Sequence, residues 1–339
     1  MSMNRASVVA TVSVGLALIT ACASAPRASV APRKYLLERV DDVAIVQVYA
    51  DGFERLSVKD KLLCWHLYEA AVAGRPIYIQ QKCAEGLDLQ NTFEELLTHS
   101  DGVEAEALDA ARRYTKLFWV NSSPYNSITS QKNVLKSTPS ALVTALERAA
   151  KNGAKLPLQA GETPRDLVVR LSPMLFDAGY KRMVTAKNPE GSLDIVQASA
   201  ATFYGRGVAL KDFDEFTESY ELNSNVERDA DGKLVERVWR MGSADGAQAP
   251  GLYAADIARV VAHLEAALPF APEATRKALE AQIRFYRSGE RVDRVAYDIA
   301  WVADKDSVVD TVNSFVEVYV DPRGKKGSWQ GIVSYADPK

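Results

Sequence analysis

The sequence predicts an α+β fold that is mostly helical. Two Thr-Pro pairs, Thr138-Pro139 and Thr163-Pro164, each combine a side chain that caps a helix with proline at the first helical position. Asp231-Gly232 separates two short segments and is typical of the turn of an antiparallel hairpin. The 339 residues are 47% apolar and 25% charged, which are ordinary globular proportions and allow about two domains.

The first 34 residues are predicted to lie outside this fold. Arg5 precedes an uncharged, mainly apolar segment, and together they predict a signal peptide over residues 1–21. Ile19-Thr20-Ala21-Cys22 resembles a bacterial lipobox, so we expect lipidation of Cys22 after cleavage. Residues 22–34 are rich in Ala, Pro and Ser and are expected to form a tether. An ordinary secretory signal is the alternative, whereas the apolar run is short for a transmembrane helix.

A lipidated Cys22 predicts a periplasm-facing bacterial membrane lipoprotein that contacts the membrane through its lipid anchor. Ala23 rather than Asp follows this cysteine, which favours the outer membrane by the usual sorting rule. The net charge of -3 gives no electrostatic reason to expect a nucleic-acid partner. Cys64 and Cys83 are interpreted as buried thiols, although an oxidising periplasm would also permit a disulfide.

After the tether, local start and stop signals predict the elements in order. An apolar run over residues 43–49 predicts a strand before a turn at Asp51-Gly52. Ser57, with Asp60 three residues on, predicts the start of a helix that Gly74 ends. Further helices are predicted over residues 103–119, 139–153, 213–220, 253–268 and 272–287 and from Pro164 onward, with a polar loop over 120–132.

The sequence contains no recognisable metal-binding or nucleophile motif. Catalytic zinc needs three protein ligands, and the three histidines, His66, His99 and His263, are at least 33 residues apart. No HExxH, HExxxH, CxxC, G-x-S-x-G or phosphate-loop pattern occurs. Gly205-Arg206-Gly207 is interpreted as a turn. No metal site is therefore expected in this chain.

Residues 313–339 are predicted to form two strands around a Gly-rich turn. Side chains two residues apart on a strand share a face. One face would carry Asn313, Phe315, Glu317 and Tyr319, and the other would carry Ser314, Val316, Val318 and Val320. The valine face is expected to pack on the core, which leaves the opposite face as a cleft wall or as a solvated strand face.

Five stretches carry the most specific patterns: ERVDDVAIVQVYADGFERL, WHLYEAAVAGR, YTKLFWVNSSPYNSITSQK, IRFYRSGE and AYDIAWVADKDSVVDTVNSFVEVYVDPRGKKGSW. Together they resemble the dipeptidyl peptidase III family of zinc peptidases, and its bacterial branch in particular. The resemblance covers residues 35–339. It implies part of a two-lobed peptidase fold, in which one lobe has a small antiparallel β-barrel and the other, largely helical, holds zinc. Members release dipeptides from the free N-termini of short peptides.

The resemblance also implies roles for residues of the terminal hairpin. Glu317 matches the carboxylate that receives the ammonium group of the substrate, and Tyr319 matches the phenol that hydrogen-bonds the scissile carbonyl. Asn313, and Tyr125 and Asn126 in the polar loop, are further candidates for substrate binding. The sequence departs from the family at Ser314, where relatives commonly have Gly, and at Gln330, where they commonly have Glu.

The zinc motif of the family, His-Glu-x-x-x-His, lies downstream of this hairpin and does not occur in the chain. The chain is therefore expected to be the N-terminal portion of such an enzyme, truncated before the zinc motif and inactive alone, with zinc expected only for the full-length enzyme. Its expected partners are short peptides and a missing zinc-binding lobe. A non-catalytic periplasmic peptide-binding lipoprotein is the main alternative, and a purely structural envelope lipoprotein is less favoured.

Overall fold

The structure is a computed structural model and describes residues 33–336. The predicted signal peptide, the lipidation at Cys22 and most of the tether lie outside the described residues. Within residues 33–336, no helix is both long enough and apolar enough to cross a bilayer.

The described chain combines helices with short antiparallel hairpins, as the sequence predicts. The strands are β1 (Leu36–Val40), β2 (Val43–Val46), β3 (Ser224–Arg228), β4 (Leu234–Val238), β5 (Val309–Glu317) and β6 (Ser328–Tyr335). The helices are α1 (Val58–Lys82), α2 (Gly86–Thr98), α3 (Ala105–Asn121), α4 (Pro139–Lys151), α5 (Pro164–Phe176), α6 (Ile195–Ala198), α7 (Ala254–Ala267), α8 (Glu273–Ser288) and α9 (Arg291–Ala303).

The strands of residues 33–336 pair only as hairpins, β1 with β2, β3 with β4 and β5 with β6. These sheets have two strands each, and none of them closes into a barrel. The β-barrel implied by the family resemblance is therefore not supported by the described part of the chain. An isolated two-stranded hairpin is marginal in water, so each hairpin depends on the helices packed against it.

Helix α1 forms the centre of the fold and packs against α7 and the terminal hairpin. Its start is as predicted, because the Ser57 side chain accepts a hydrogen bond from the Asp60 amide at 3.1 Å. Its predicted end at Gly74 is wrong, since the helix continues to Lys82. Gly74 serves tertiary packing instead, because an ideal Cβ at this position would lie 1.9 Å from Cζ2 of Trp329.

An aromatic cluster joins the terminal hairpin to the helical core. The ring of Phe315 on β5 lies 4.7 Å from Trp239 and 5.8 Å from Trp329, measured between ring centroids. Tyr286 on α8 meets the same Phe315 edge-on at 6.2 Å. All four rings are buried. Offset and edge-on aromatic pairs of this kind add about 0.5–1.5 kcal/mol each beyond the area they bury.

Local signals succeed at several other elements and fail at others. Thr138 and Thr163 cap α4 and α5, and the hairpin around Asp231-Gly232 forms as predicted. The predicted helix over residues 213–220 is wrong, because only a 3₁₀ turn over Leu210–Asp214 is present. Helices α2, α6 and α9 were not predicted. Cys64 and Cys83 are buried free thiols, which confirms the favoured interpretation.

We expect Gly74→Ala to destabilise the protein, although alanine favours a helix by about 1 kcal/mol over glycine. The added methyl group would collide with the buried indole of Trp329, and overpacking of this kind typically costs about 1–3 kcal/mol. Urea unfolding of the single variants and of Gly74→Ala combined with Trp329→Leu measures this coupling. A Gly74→Ala protein as stable as the wild type would show that the close approach is not a constraint.

Candidate functional site

A β-bulge near the end of β5 sets the direction of the residues that follow it. Phe315 pairs with Trp329 and Glu317 pairs with Ser328, so Val316 is an extra residue in the ladder. Arg294 on α9 donates to the Phe315 carbonyl at 2.7 Å, and the Ser328 hydroxyl donates to the Glu317 carbonyl at 2.9 Å. Side chains on both sides therefore stabilise the bulge.

The bulge changes the predicted arrangement of faces. Asn313 and Phe315 are fully buried, whereas Glu317 and Tyr319 are exposed, so these four side chains do not line one surface. The prediction that the valine face packs on the core holds for Val320 but not for Val316, which is 37% exposed. Regular alternation failed because it assumes an uninterrupted ladder.

Two consecutive turns follow Glu317 and carry Tyr319. The Asp321 amide donates to the Val318 carbonyl at 3.2 Å, and the Gly324 amide donates to the Asp321 carbonyl at 3.0 Å. Thr185 donates through its hydroxyl to the Val320 carbonyl at 2.6 Å. Tyr319 therefore lies within a hydrogen-bonded turn whose backbone is held at both ends.

The carboxylate of Asp321 organises the second turn from inside. Its oxygens accept the backbone amides of Arg323, Lys325 and Lys326 at 3.0, 2.7 and 2.8 Å. The phenol of Tyr204 donates to the same carboxylate at 2.9 Å. Asp321 is fully buried, so these four donors replace the water that a buried carboxylate would otherwise lack.

A buried carboxylate on another segment pairs with two of the three cations of this turn. Glu218 contacts Nζ of Lys326 and accepts from Nη1 of Arg323 at 2.7 Å. The Arg323 guanidinium also lies 3.3 Å from the centroid of the Phe213 ring. Burial lowers the pKa of Lys326 despite the opposing effect of Glu218. These contacts explain why residues 213–220 are not helical, since both Phe213 and Glu218 are used by the turn.

The end of helix α1 provides a second group of residues near Tyr319. Burial raises the pKa of the Tyr78 phenol, and the nearby phenol of Tyr319 raises it further. Nζ of Lys82 lies 4.4 Å from the centroid of the Tyr78 ring and donates to the Asn121 carbonyl at 3.1 Å. Sequence reasoning missed Tyr78 and Lys82 because they lie more than 220 residues before the hairpin.

The other predicted substrate-binding residues make contacts within the fold. Asn313 is fully buried, and its amide donates to the Thr311 hydroxyl at 2.7 Å and the Leu67 carbonyl at 3.2 Å. Tyr125 is fully buried and donates to the Lys181 carbonyl at 2.8 Å. Asn126 accepts two amides of its own loop. The structure thus leaves Glu317 and Tyr319 facing solvent and places these three residues elsewhere.

Two cavities lie close to the turn. One has a volume of about 690 Å³ and is lined by Tyr204, which also contacts Asp321, and by the cations Lys181 and Arg206. The other has a volume of about 370 Å³ and is lined by Arg294 and Glu218, on the side of the bulge.

A family model described as Peptidase family M49 matches residues 186–339, which include the whole β5–β6 hairpin and Glu218. Dipeptidyl peptidase 3 of Mus musculus is 23% identical over 313 residues. These similarities support a relation to the dipeptidyl peptidase III family. Dipeptidyl peptidase 3 of Dictyostelium discoideum is 35% identical over 80 residues, which are 23% of this chain and 12% of that relative.

Solved structures of dipeptidyl peptidase III share the fold. The enzyme from Corallococcus sp. strain EGB aligns with a TM-score of 0.53 at 15% identity, and that from Caldithrix abyssi with 0.51 at 16% identity. Each alignment covers 86% of this chain and 41% of the neighbour. The mouse relative is matched over 84% of this chain and 42% of its own length. The chain therefore spans less than half the length of these family members.

The dipeptidyl peptidase III family is zinc-dependent, and the described residues do not fit a zinc ion. Among residues 33–336, no three His, Cys, Asp or Glu side chains lie close enough together to bind a metal. His66 stacks on Phe270 at 5.6 Å, and His99 contacts Glu95 and Thr98 within its own helix end. We therefore assign no metal-dependent step to any of these residues.

Lys82 predicts a measurable pH dependence of stability. Burial lowers its pKa from 10.5 to about 8 in the folded protein. Between these values the unfolded chain binds more protons than the folded one, so the free energy of unfolding rises with pH from about 8 to 10.5. Lys82→Met removes the cost of burying this ammonium at neutral pH. The free energy of unfolding of the variant, relative to that of the wild type, is expected to fall by about 2 kcal/mol between pH 7 and pH 10.

Urea unfolding at pH 7, 8.5 and 10 measures this difference, with the exposed Lys59→Met as the control for loss of one lysine. A Lys82→Met difference that stays constant across this range would show that Lys82 is not buried as a charge.

Proposed function

We propose that this chain supplies the substrate-binding hairpin of a zinc-dependent dipeptidyl peptidase III-like exopeptidase, which releases dipeptides from peptide N-termini. The relation to this family supports a peptidase function. The observation that carries the proposal is the bulge at Val316. It directs Glu317 outward, ahead of an exposed Tyr319, from a hairpin that is anchored in the core by Phe315 and Trp329.

Glu317 is the group that we assign to the N-terminal ammonium of the peptide. Within the described chain it has no ion-pair partner, so its carboxylate is available to a cation. The Ser328 hydroxyl and the bulge fix its backbone, which reduces the entropy lost on binding. An exposed ion pair contributes about 0–1 kcal/mol, so the isolated chain is expected to bind weakly.

Tyr319 is the group that we assign to the scissile carbonyl. Tyr319 is 54% exposed, and its phenol is close enough to Tyr78 to raise the pKa of that residue, which in turn packs against the buried Lys82. Tyr78 thereby restricts where the Tyr319 hydroxyl can lie. A preorganised hydrogen-bond donor aimed at a developing oxyanion is worth about 10²–10³ in rate. The described residues supply no zinc site, so we expect the isolated chain to bind peptides without cleaving them.

The localisation remains part of this proposal. Lipidation of Cys22 would hold the hairpin in the periplasm, on a tether, where short peptides are the expected partners. A non-catalytic peptide-binding lipoprotein would place the same hairpin in the same compartment. The two functions differ in one respect, because only the peptidase gains hydrolytic activity when the unmatched part of the family fold is supplied.

Titration of the chain with a tetrapeptide tests the assignment of Glu317. We expect the free-amine peptide to bind about fivefold more tightly than its N-acetylated twin, which corresponds to about 1 kcal/mol, and Glu317→Gln to abolish this preference. Glu147→Gln, at an exposed position on α4, is the matched control and should bind like the wild type. Equal affinity for both peptides in the wild type would contradict the assignment.

A further inference from the structure

The cavity of about 690 Å³ beside Tyr204 has a positively charged wall, and we call it the cationic cavity. Lys181 and Arg206 are its charged lining residues, and among the described residues that line it there is no Asp or Glu. The whole chain has a net charge of -3, so a wall with two cations and no acid departs from the average composition. A cavity of this volume is large enough for an organic ligand.

The polar groups that the cavity leaves unused are mainly cationic donors. The hydroxyl groups of Ser199, Thr202 and Tyr204 each donate to an oxygen of the protein, at distances of 2.7–2.9 Å. Arg206 is exposed and has no ion-pair partner within residues 33–336. Nζ of Lys181 lies 3.6 Å from a carboxylate oxygen of Glu85, which offsets its charge only in part. Cations of this kind bind oxyanions such as a carboxylate.

The backbone around Lys181 is fixed before any ligand binds. Lys181 has a φ of 41°, and a residue other than glycine in the left-handed region costs about 1–3 kcal/mol. The phenol of Tyr125 donates to the Lys181 carbonyl at 2.8 Å, and Nζ of Lys132 donates to the Tyr180 carbonyl. Burial lowers the pKa of Lys132, and repulsion from Lys181 lowers it further. An anion in the cavity would relieve this repulsion.

Two connections place the cavity next to Tyr319. Ala84 lines the cavity and follows Tyr78 by six residues, over which a helix advances about 9 Å. Tyr204 also lines the cavity, and it donates to Asp321, two residues after Tyr319. When extended, the three residues after the scissile bond of a pentapeptide span about 10 Å. A peptide whose scissile carbonyl meets Tyr319 can therefore reach the cavity with its C-terminus.

We infer that the cationic cavity binds the C-terminal carboxylate of the peptide whose N-terminal ammonium binds Glu317, and that Arg206 and Lys181 are the partners of this carboxylate. An inorganic anion would leave most of the 690 Å³ unfilled, whereas a peptide end also brings side chains. The inference rests on the proposed function. It adds recognition of the second end of the peptide, by residues more than 100 positions before the hairpin.

Calorimetric titration of the full chain with four pentapeptides of one sequence tests the inference. The four have free ends, an acetylated N-terminus, an amidated C-terminus, or both ends blocked. We expect C-terminal amidation to weaken binding about fivefold, whether or not the N-terminus is acetylated. Arg206→Gln should abolish this difference and keep the preference for a free amine. Arg284→Gln, at an exposed position on α8, is the matched control and should bind like the wild type.

Photo-crosslinking locates the C-terminus of the peptide directly. The probe is the same pentapeptide with benzoylphenylalanine as its last residue. After irradiation, mass spectrometry should find the label on residues 180–181 or 196–208, which form most of the cavity wall. The same group at the first residue of the peptide should label the segment around Glu317 instead.

Three results would overturn the inference. They are equal affinity of the wild type for the acid and the amide, a preference for the acid that persists in Arg206→Gln, and a C-terminal label outside the cavity. Inorganic phosphate is titrated separately. If phosphate binds through Arg206 while the acid and the amide bind alike, the cavity serves another anion and the inference is wrong. Failure of the Glu317 assignment is a separate result, because it abolishes the preference for a free amine and not the preference for a free carboxylate.

Discussion

The terminal hairpin depends on the ion pairs that the Glu218 carboxylate makes with Arg323 and Lys326. Lys326 is fully buried, and a buried ammonium without a partner would cost several kcal/mol. Together with the four donors around Asp321, these ion pairs allow Arg323 and Lys326 to lie in the protein interior. The turn then fixes the residues immediately before it, which are the exposed Glu317 and Tyr319. A buried ion pair of this kind adds little net stability, and its contribution here is to specify one conformation.

The hairpin also packs against helix α1, and this contact links the core to the candidate site. Gly74 allows Trp329 to lie directly on α1, and Gln81 near the end of that helix accepts the Trp329 amide at 2.8 Å. The same helix end carries Tyr78 and Lys82 toward Tyr319. If α1 ended at Gly74, the helix would not carry Gln81 to the Trp329 amide or Tyr78 to Tyr319. The continuation of α1 past a glycine and a proline is thus a tertiary effect with a consequence for the site.

The sequence predicted those features that depend on neighbouring residues. The caps at Ser57 and Thr163 and the hairpin at Asp231-Gly232 are local, so short patterns suffice. Features that depend on distant residues were missed or wrong. The end of α1 depends on Trp329, and the loss of helix over 213–220 depends on Arg323 and Lys326.

The candidate site shows the same limit. The family resemblance pointed to Glu317 and Tyr319, and the structure exposes both, but alternation could not reveal the bulge at Val316 that separates them from Asn313 and Phe315. Arg294, which satisfies the carbonyl freed by that bulge, lies on α9, a helix that the sequence did not predict. Exposed valine and isoleucine side chains on this helix conceal the usual helical pattern of one apolar and one polar face.

We propose that the bulge and the charged turn present Glu317 and Tyr319 to the N-terminal end of a peptide. A crystal structure of the chain with a free-amine tetrapeptide tests it most directly. We expect the peptide ammonium within hydrogen-bond distance of the Glu317 carboxylate, and a carbonyl of the same peptide facing the Tyr319 hydroxyl. A peptide bound instead in the 690 Å³ cavity beside Lys181 and Arg206, with Glu317 and Tyr319 untouched, would contradict it.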